Sequence, residues 1–281
     1  MIHKVYRRMH AKVMKHFARP VTLIHTPKCA GTFIQQAYAL HERPWIRTIG
    51  HGCVRDTAPT GRTHSFVGLI REPIDWYASY VAFCRRSLGL QPQSIENFPP
   101  THPISVFSDN GRRGLAATIQ SMADRSLLEK LCADGVVANV YTRDIPDVYE
   151  FMLRTGSGFW TWTMMYHFSR TTTSALRTAA DVHEQAEWIA REISFIHQDR
   201  IREDMQAVLR LKPPAEQPRI NVSERTAADV PCPQTLALVA RLDGDAYASL
   251  DSKRGPAKTA TASRHQRSFT PSSGQAAARV A

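Results

Sequence analysis

Apolar positions in this chain fall into short unbroken runs, separated by longer stretches with helical spacing. Val21 to Ile24 is one such run, and Ser65 to Ile70 (SFVGLI) is another. Runs of this kind suit strands of a parallel sheet, which are covered on both faces. Trp45 to Ile49 reads as a further strand and ends at Gly50-His51-Gly52. After Val21–Ile24 a tight segment, Pro27 to Thr32, leads into a helix through Phe33, Ile34, Ala37 and Tyr38. Pro73 suits the first position of a second helix, which the spacing carries over Ile74 to Arg86. The chain therefore opens as strand, helix, strand, strand, helix. That is how a doubly wound α/β domain begins, with its ligand at the carboxyl ends of the strands.

Beyond this point the pattern is mainly helical. Residues 87–114 are rich in Pro, Ser, Asn and Gly and predict a long connection. Helices are expected over Leu115–Cys132, Asp144–Arg154, Asp181–Arg191, Arg200–Leu211 and Gln234–Tyr247, with a strand at Ile193–Ile196. Gly156 to Trp162 is a Gly-punctuated aromatic segment. Its Phe159-Trp160-Thr161-Trp162 part is a candidate wall for stacking a ring substrate; core packing is the plainer reading, favoured for Trp162.

The ends differ in composition. Ile2, Val5, Tyr6, Met9, Val13 and Phe17 recur at helical spacing among Lys and Arg, an amphipathic basic helix. Such a helix can touch an anionic membrane, pack on the body, or be an ill-ordered leader. From Ser252 onward large apolar residues almost vanish and disorder is expected. The domain plan is thus a basic helix over 1–19, one folded domain over 20–250, and a disordered basic tail over 251–281.

The net charge of +11 sits in those ends, and the body between them is close to neutral. Nucleic-acid binders concentrate charge on a folded face, so a nucleic-acid partner is not expected. No apolar stretch is long enough for a transmembrane helix, and no apolar region follows the basic start as a secretory leader requires. Five cysteines, an odd number at wide spacing with no Cys/His cluster, argue against zinc and for a reduced, cytoplasmic setting.

The candidate chemistry begins in the first turn. A strand–turn–helix points free N–H groups at an anion, Lys28 adds a charge, and Thr32 adds a hydroxyl. The turn is not a Walker A loop, because Lys28 precedes Gly31. By itself it is equally an ordinary βα turn with a surface lysine. Arg71 follows the SFVGLI strand and Ser79 lies on the next helix. Arginine can grip a phosphate bidentately and serine can complete the cradle. Taken alone, that pair reads as a helix-capping arginine and a surface serine. Transfer of a group from an anionic ligand to a hydroxyl also needs a base, and His51, held between glycines at a strand end, is the first choice. Asp56 and His64 are reserves, His25 reads as structural, and His102, His167 and His183 have no supporting context. Arg112, Arg113 and Arg154 are either contacts for an acidic acceptor or solvated charges.

His25-Thr26-Pro27-Lys28-Cys29-Ala30-Gly31-Thr32 resembles the H-x-P-K-[TC]-[AG]-G-T loop of sulfotransferases that use 3'-phosphoadenosine-5'-phosphosulfate (PAPS), most of all the glycan O-sulfotransferase branch. Thr26 departs from the usual aliphatic residue. Arg71-Glu72-Pro73-Ile74-Asp75-Trp76-Tyr77-Ala78-Ser79-Tyr80 is similar to the family's R-[DE]-P-x-x-[RW]-[YF]-x-S-x-[YF] segment, and the two come in the family's order. Gln198 to Met205 looks like its strand followed by E-x-L-x-x-D-[LM], and Arg219 to Arg225 like its late [RK]-x-N-x-S loop.

The resemblance implies a P-loop-like three-layer α/β fold with a central, mostly parallel sheet and a helical insertion. It implies that Pro27, Lys28, Cys29, Ala30, Gly31, Thr32 and Phe33 hold the 5'-phosphosulfate, and that Arg71 and Ser79 hold the 3'-phosphate. Ser223 and Arg225 would close over the nucleotide, though Asn221-Val222-Ser223 is equally a turn with a serine cap. Lys28 would stabilise the leaving group and His51 would take the acceptor proton, with 3'-phosphoadenosine-5'-phosphate (PAP) as product and no metal. The acceptor would be a hydroxyl on a carbohydrate or glycolipid, with peripheral membrane contact through residues 1–19 left open. Two alternatives stand: a kinase-like phosphoryl transferase, and a non-catalytic module that binds an anion or membrane.

Overall fold

The computed structural model describes residues 20–57, 65–88, 100–140, 143–212 and 226–252. The expected basic helix over 1–19 and the tail beyond Ser252 lie outside the described residues, as do His64, Ser223 and Arg225.

The apolar runs form a four-stranded sheet. Its strands are β1 (Val21–Ile24), β2 (Ile46–Ile49), β3 (Ser65–Ile70) and β6 (Ile193–His197), in the order β2-β1-β3-β6. All three pairings are parallel. β1 and β3 are central, which accounts for the burial of Thr22–Ile24 and Val67–Ile70; on the edge strand β2 only Ile46 is buried. The register pairs Ile24 with Ile49 and with Gly68, so β1 and β2 leave the sheet level with each other and β3 runs two residues further. The chain moves to one side of β1 to make β2 and to the other side to make β3. The strand order therefore switches between β1 and β3, and it is at the carboxyl ends of such strands that doubly wound sheets take their ligands.

Helices flank the sheet: α1 (Gly31–Ala37), α2 (Pro73–Leu88), α3 (Pro103–Ser108), α4 (Leu115–Ala123), α5 (Arg125–Ala133), α6 (Val148–Thr155), α7 (Phe159–Phe168), α8 (Ala179–Glu192), α9 (Ile201–Leu209) and α10 (Pro233–Asp251). Three expectations are corrected. The single helix over Leu115–Cys132 is two, because the Asp124 carboxylate accepts from the Ser126 and Leu127 N–H groups and caps α5. The helix expected from Asp144 starts at Val148, and Arg143–Ile145 instead pairs antiparallel, as β5, with β4 (Ala138–Val140). Ile145 precedes Pro146, which disfavours a helical Ile145. The Gly156–Trp162 segment is no surface wall: it leads into α7, all ten of whose residues are buried. A helix that is apolar all round belongs in a core.

That central helix has no side-chain cap of its own, since its N-cap is Gly158. Two other helices supply one. Tyr77 of α2 accepts from the Trp160 N–H at 2.9 Å, and Asp243 of α10 accepts from the Thr161 N–H at 2.9 Å and its hydroxyl at 2.7 Å. A Cβ on Gly158 would collide with the Asp243 carboxylate, so the glycine is needed for the cap to enter. Burial pushes the Asp243 pKa up to about 6, against the bonds that favour its charge.

At the end of β6, His197 bridges two helices. Its Nδ1 lies 2.9 Å from Asp204 on α9 and its Nε2 2.9 Å from Asp251 on α10. Among the described residues no helix is long and apolar enough to cross a membrane. All five cysteines are free, and among the described residues no group of three or more His, Cys, Asp or Glu side chains is arranged so that it could hold a metal ion.

Candidate functional site

The turn after β1 is held in an unusual shape. Lys28 and Ala30 have positive φ, 60° and 66°, and neither is glycine. Left-handed backbone costs an L-residue about 1–2 kcal/mol, so the surroundings must impose it. Two bonds do so. The buried Trp76 indole of α2 donates to Pro27 O at 2.9 Å, and the Arg71 guanidinium donates to Lys28 O at 3.1 Å. Cys29 anchors the turn from below. Its side chain is buried, and burial pushes its thiol up to about 12, so it is no nucleophile. Its N–H donates to Thr26 O at 3.4 Å, so the first expected anion donor is already engaged in the turn. The N–H groups of Gly31, Thr32 and Phe33 head the first turn of α1 and have no acceptor within the helix. With seven residues, α1 adds little dipole; the positive charge comes from Lys28 and Arg71.

Gly31 has a steric role. A Cβ there would run into the ring of His25. His25 is half-buried, and its pKa is lowered to about 4 by burial and then by the nearby charge of His51. It is a neutral packing residue under the turn.

The second turn begins where β3 ends. Arg71 uses both its ends: the guanidinium on Lys28 O, and the backbone carbonyl as acceptor for the Trp160 indole at 3.1 Å. Ser79 is 8% exposed on α2. Trp76, Ser79, Tyr80 and Phe83 share one face of α2 by helical spacing, and that face meets the first turn. The Lys28 ammonium lies 4.1 Å from the Phe83 ring centroid and 6.0 Å from that of Tyr80. The structure thus brings Lys28 and Arg71 together, beside strands paired directly to each other, and helical spacing puts Ser79 on the face of α2 that meets them.

His51 is exposed in the turn that ends β2, the neighbour of β1. Its ring centroid stands 5.2 Å from that of His25. Asp56 is exposed nearby in sequence. The downstream likeness at Gln198–Met205 falls on a turn and α9, where Asp204 serves as the partner of His197. Thr226, the first described residue after the late loop, is fastened to α2: Arg85 donates to Thr226 Oγ1 at 3.1 Å and grips Asp229 with two bonds of 2.9 Å.

The other basic and histidine candidates have structural duties. Arg154 donates to the carbonyls of Leu176 and Thr173 at 2.8 and 2.9 Å, Arg112 pairs with Asp109 at 3.6 Å, and Arg113 donates to Ser121 at 2.9 Å. His102 is buried, caps α3 through Nδ1, and burial lowers its pKa to about 3. His183 faces Glu187 on the surface. A cleft of about 470 Å³ at the edge strand is lined by Gln35, Gln36, Arg43 and Thr48 among others, and none of the candidate donor residues lines it. Spacing alone gave no hint of Phe83 under Lys28 or of His167, whose Nδ1 lies 2.9 Å from Gly52 O beneath the His51 turn. No family model, curated protein or solved structure matches this chain.

Proposed function

We propose that the chain is a sulfotransferase of P-loop-like fold that moves a sulfuryl group from PAPS to an acceptor hydroxyl, on a carbohydrate or glycolipid. The observation that carries the reading is the 3.1 Å bond from the Arg71 guanidinium to Lys28 O. It joins the two sequence segments that resemble this family, at the switch between β1 and β3. A basic turn and an arginine turn in contact suit a ligand with phosphates at both ends, as the donor nucleotide has.

The residues then take these roles. Lys28 and the first-turn N–H groups of Gly31, Thr32 and Phe33 hold the 5' end, and Arg71 with Ser79 holds the 3'-phosphate. PAPS supplies an activated sulfuryl group whose S–O bond to the 5'-phosphate breaks as the acceptor oxygen bonds to sulfur. Negative charge grows on the bridging oxygen, and Lys28 is the cation that offsets it. His51 takes the proton from the acceptor hydroxyl, and its setting between Gly50 and Gly52 leaves it open to an acceptor.

Isothermal titration with PAP tests the donor site. Wild type should bind, and Lys28→Ala and Arg71→Ala should each weaken binding by roughly 10- to 100-fold, the loss of one charge-assisted contact. Unaltered binding in both variants removes the assignment. His51→Ala should bind PAP as wild type does and lose turnover.

A further inference from the structure

The carboxyl end of the central helix α7 holds the turn that carries His51. His167 is fully buried, and its Nδ1 lies 2.9 Å from Gly52 O. A carbonyl only accepts, so Nδ1 bears the hydrogen. Burial, first of all, lowers the His167 pKa to about 3, which keeps the ring neutral. The same stretch meets this helix end again. Val54 N–H donates to His167 O at 2.8 Å, and Arg55 donates to Tyr166 O at 3.0 Å and to Thr171 O at 3.3 Å. The last carbonyls of a helix lack donors of their own. The turn after β2 supplies them, and in return α7 supplies the donor that the Gly52 carbonyl needs.

The opposite end of α7 holds the other half of the site, because the Trp160 indole donates to Arg71 O at 3.1 Å. Trp160 and His167 stand about two helical turns apart, on the order of 10 Å of rise. One rigid, buried helix therefore spaces the Arg71 turn from the His51 turn. His51 itself lies between two glycines, and the Gly52 N–H closes the turn on Gly50 O at 2.7 Å, so the Gly52 carbonyl is the group through which α7 can hold that turn.

We propose that His167 is a positioning residue for His51: its Nδ1–H bond to Gly52 O fixes where the candidate base stands relative to the Arg71 turn. The idea rests on the sulfotransferase reading for its consequence, but not for its geometry. His167→Leu removes the donor at similar bulk, and His167→Asn restores one near the Nδ1 position. Three measurements test it. Both variants should keep the wild-type affinity for PAP. Acceptor-free hydrolysis of PAPS, followed as PAP released, should fall roughly 10- to 100-fold in His167→Leu and recover in His167→Asn. In that reaction water bonds to sulfur, the S–O bond to the phosphate breaks, and His51 takes the water proton. The third measurement needs no turnover. Ring NMR of His51 should shift or broaden in His167→Leu and return in His167→Asn, and in wild type His167 should show the Nδ1–H tautomer.

Unchanged His51 resonances in a folded His167→Leu protein overturn the proposal, as does an Nε2–H tautomer in wild type if that variant does not fold. Unchanged hydrolysis in a His167→Leu protein that binds PAP overturns it too. Failure of wild type to bind PAP would instead strike the sulfotransferase reading, with the NMR result still deciding the role of His167.

Discussion

The His25 ring occupies the space into which a side chain on Gly31 would project. The glycine is therefore set by a neighbour six places back in the chain and not by its own backbone, which is helical at that point. Gly31→Ala must push the His25 ring away, and the ring of His51 stands beside it with its centroid 5.2 Å off. The substitution should cost about 1–3 kcal/mol of stability through overpacking and weaken PAP binding. Thermal unfolding and titration on one preparation check both. Pairing it with His25→Ala should recover part of the loss, and no recovery would show that the clash is not the cause.

Arg85 and Asp229 should be a strong stability pair. The Asp229 side chain is wholly buried, and both its oxygens meet Arg85 at 2.9 Å. Arg85→Ala leaves that carboxylate without its cation, with only the Thr226 N–H and hydroxyl still donating to it, at a cost of about 1–3 kcal/mol. Arg85→Lys should lose part of this, because an ammonium cannot make the two-pronged bond. Urea unfolding of the three proteins gives the ranking, and equal midpoints for Arg85→Ala and wild type would contradict it.

The His197 clamp gives stability a pH dependence of known sign. Burial works to lower its pKa, but the bonds and charges of Asp204 and Asp251 outweigh it and raise the value from 6.5 to about 9. A folded pKa above the unfolded one means stability that is full below pH 6.5 and fades as pH climbs through about 9. The size is about 3 kcal/mol, from 1.36 kcal/mol per unit. The unfolding free energy of wild type should therefore fall between pH 7 and pH 10 more steeply than that of His197→Gln. Parallel curves would show that the clamp is not ionised as drawn.

Thiol labelling should separate the cysteines. Cys232 is exposed at the start of α10, where the Thr235 hydroxyl and backbone N–H groups lower its pKa. Cys29 is buried with its thiol raised to about 12. Brief iodoacetamide treatment of native protein, read by peptide mass, should mark Cys232 first and leave Cys29 unmarked. Labelling of Cys29 ahead of Cys232 would mean the Lys28 turn is not packed as described.

Much of the framework was legible along the chain. The runs at Val21–Ile24 and Ser65–Ile70 became the two central strands at those limits, because a strand covered on both faces is mainly apolar and does not alternate with polar positions. Pro73 opened α2 as its fixed φ suggests. The Asp124 break and the start of α6 were missed, although Asp before Ser126-Leu127 and Ile145 before Pro146 are local signals of both. Short strands of three residues, such as β4 and β5, carry too little pattern to be seen before their partner is known.

Local periodicity reports how a segment is covered, never by what. The chain alone was enough to place Arg71 directly after an apolar run, and Lys28 and His51 in the short turns that follow two others. It could not say that the ends of β1 and β3 lie side by side, for strand order comes from packing of the whole sheet. Nor could it raise His167 above the other histidines: its bond to Gly52 spans 115 positions of sequence. Such a contact exists because a carbonyl turned toward the core is satisfied by whichever donor the fold brings to it, wherever in the chain that donor resides.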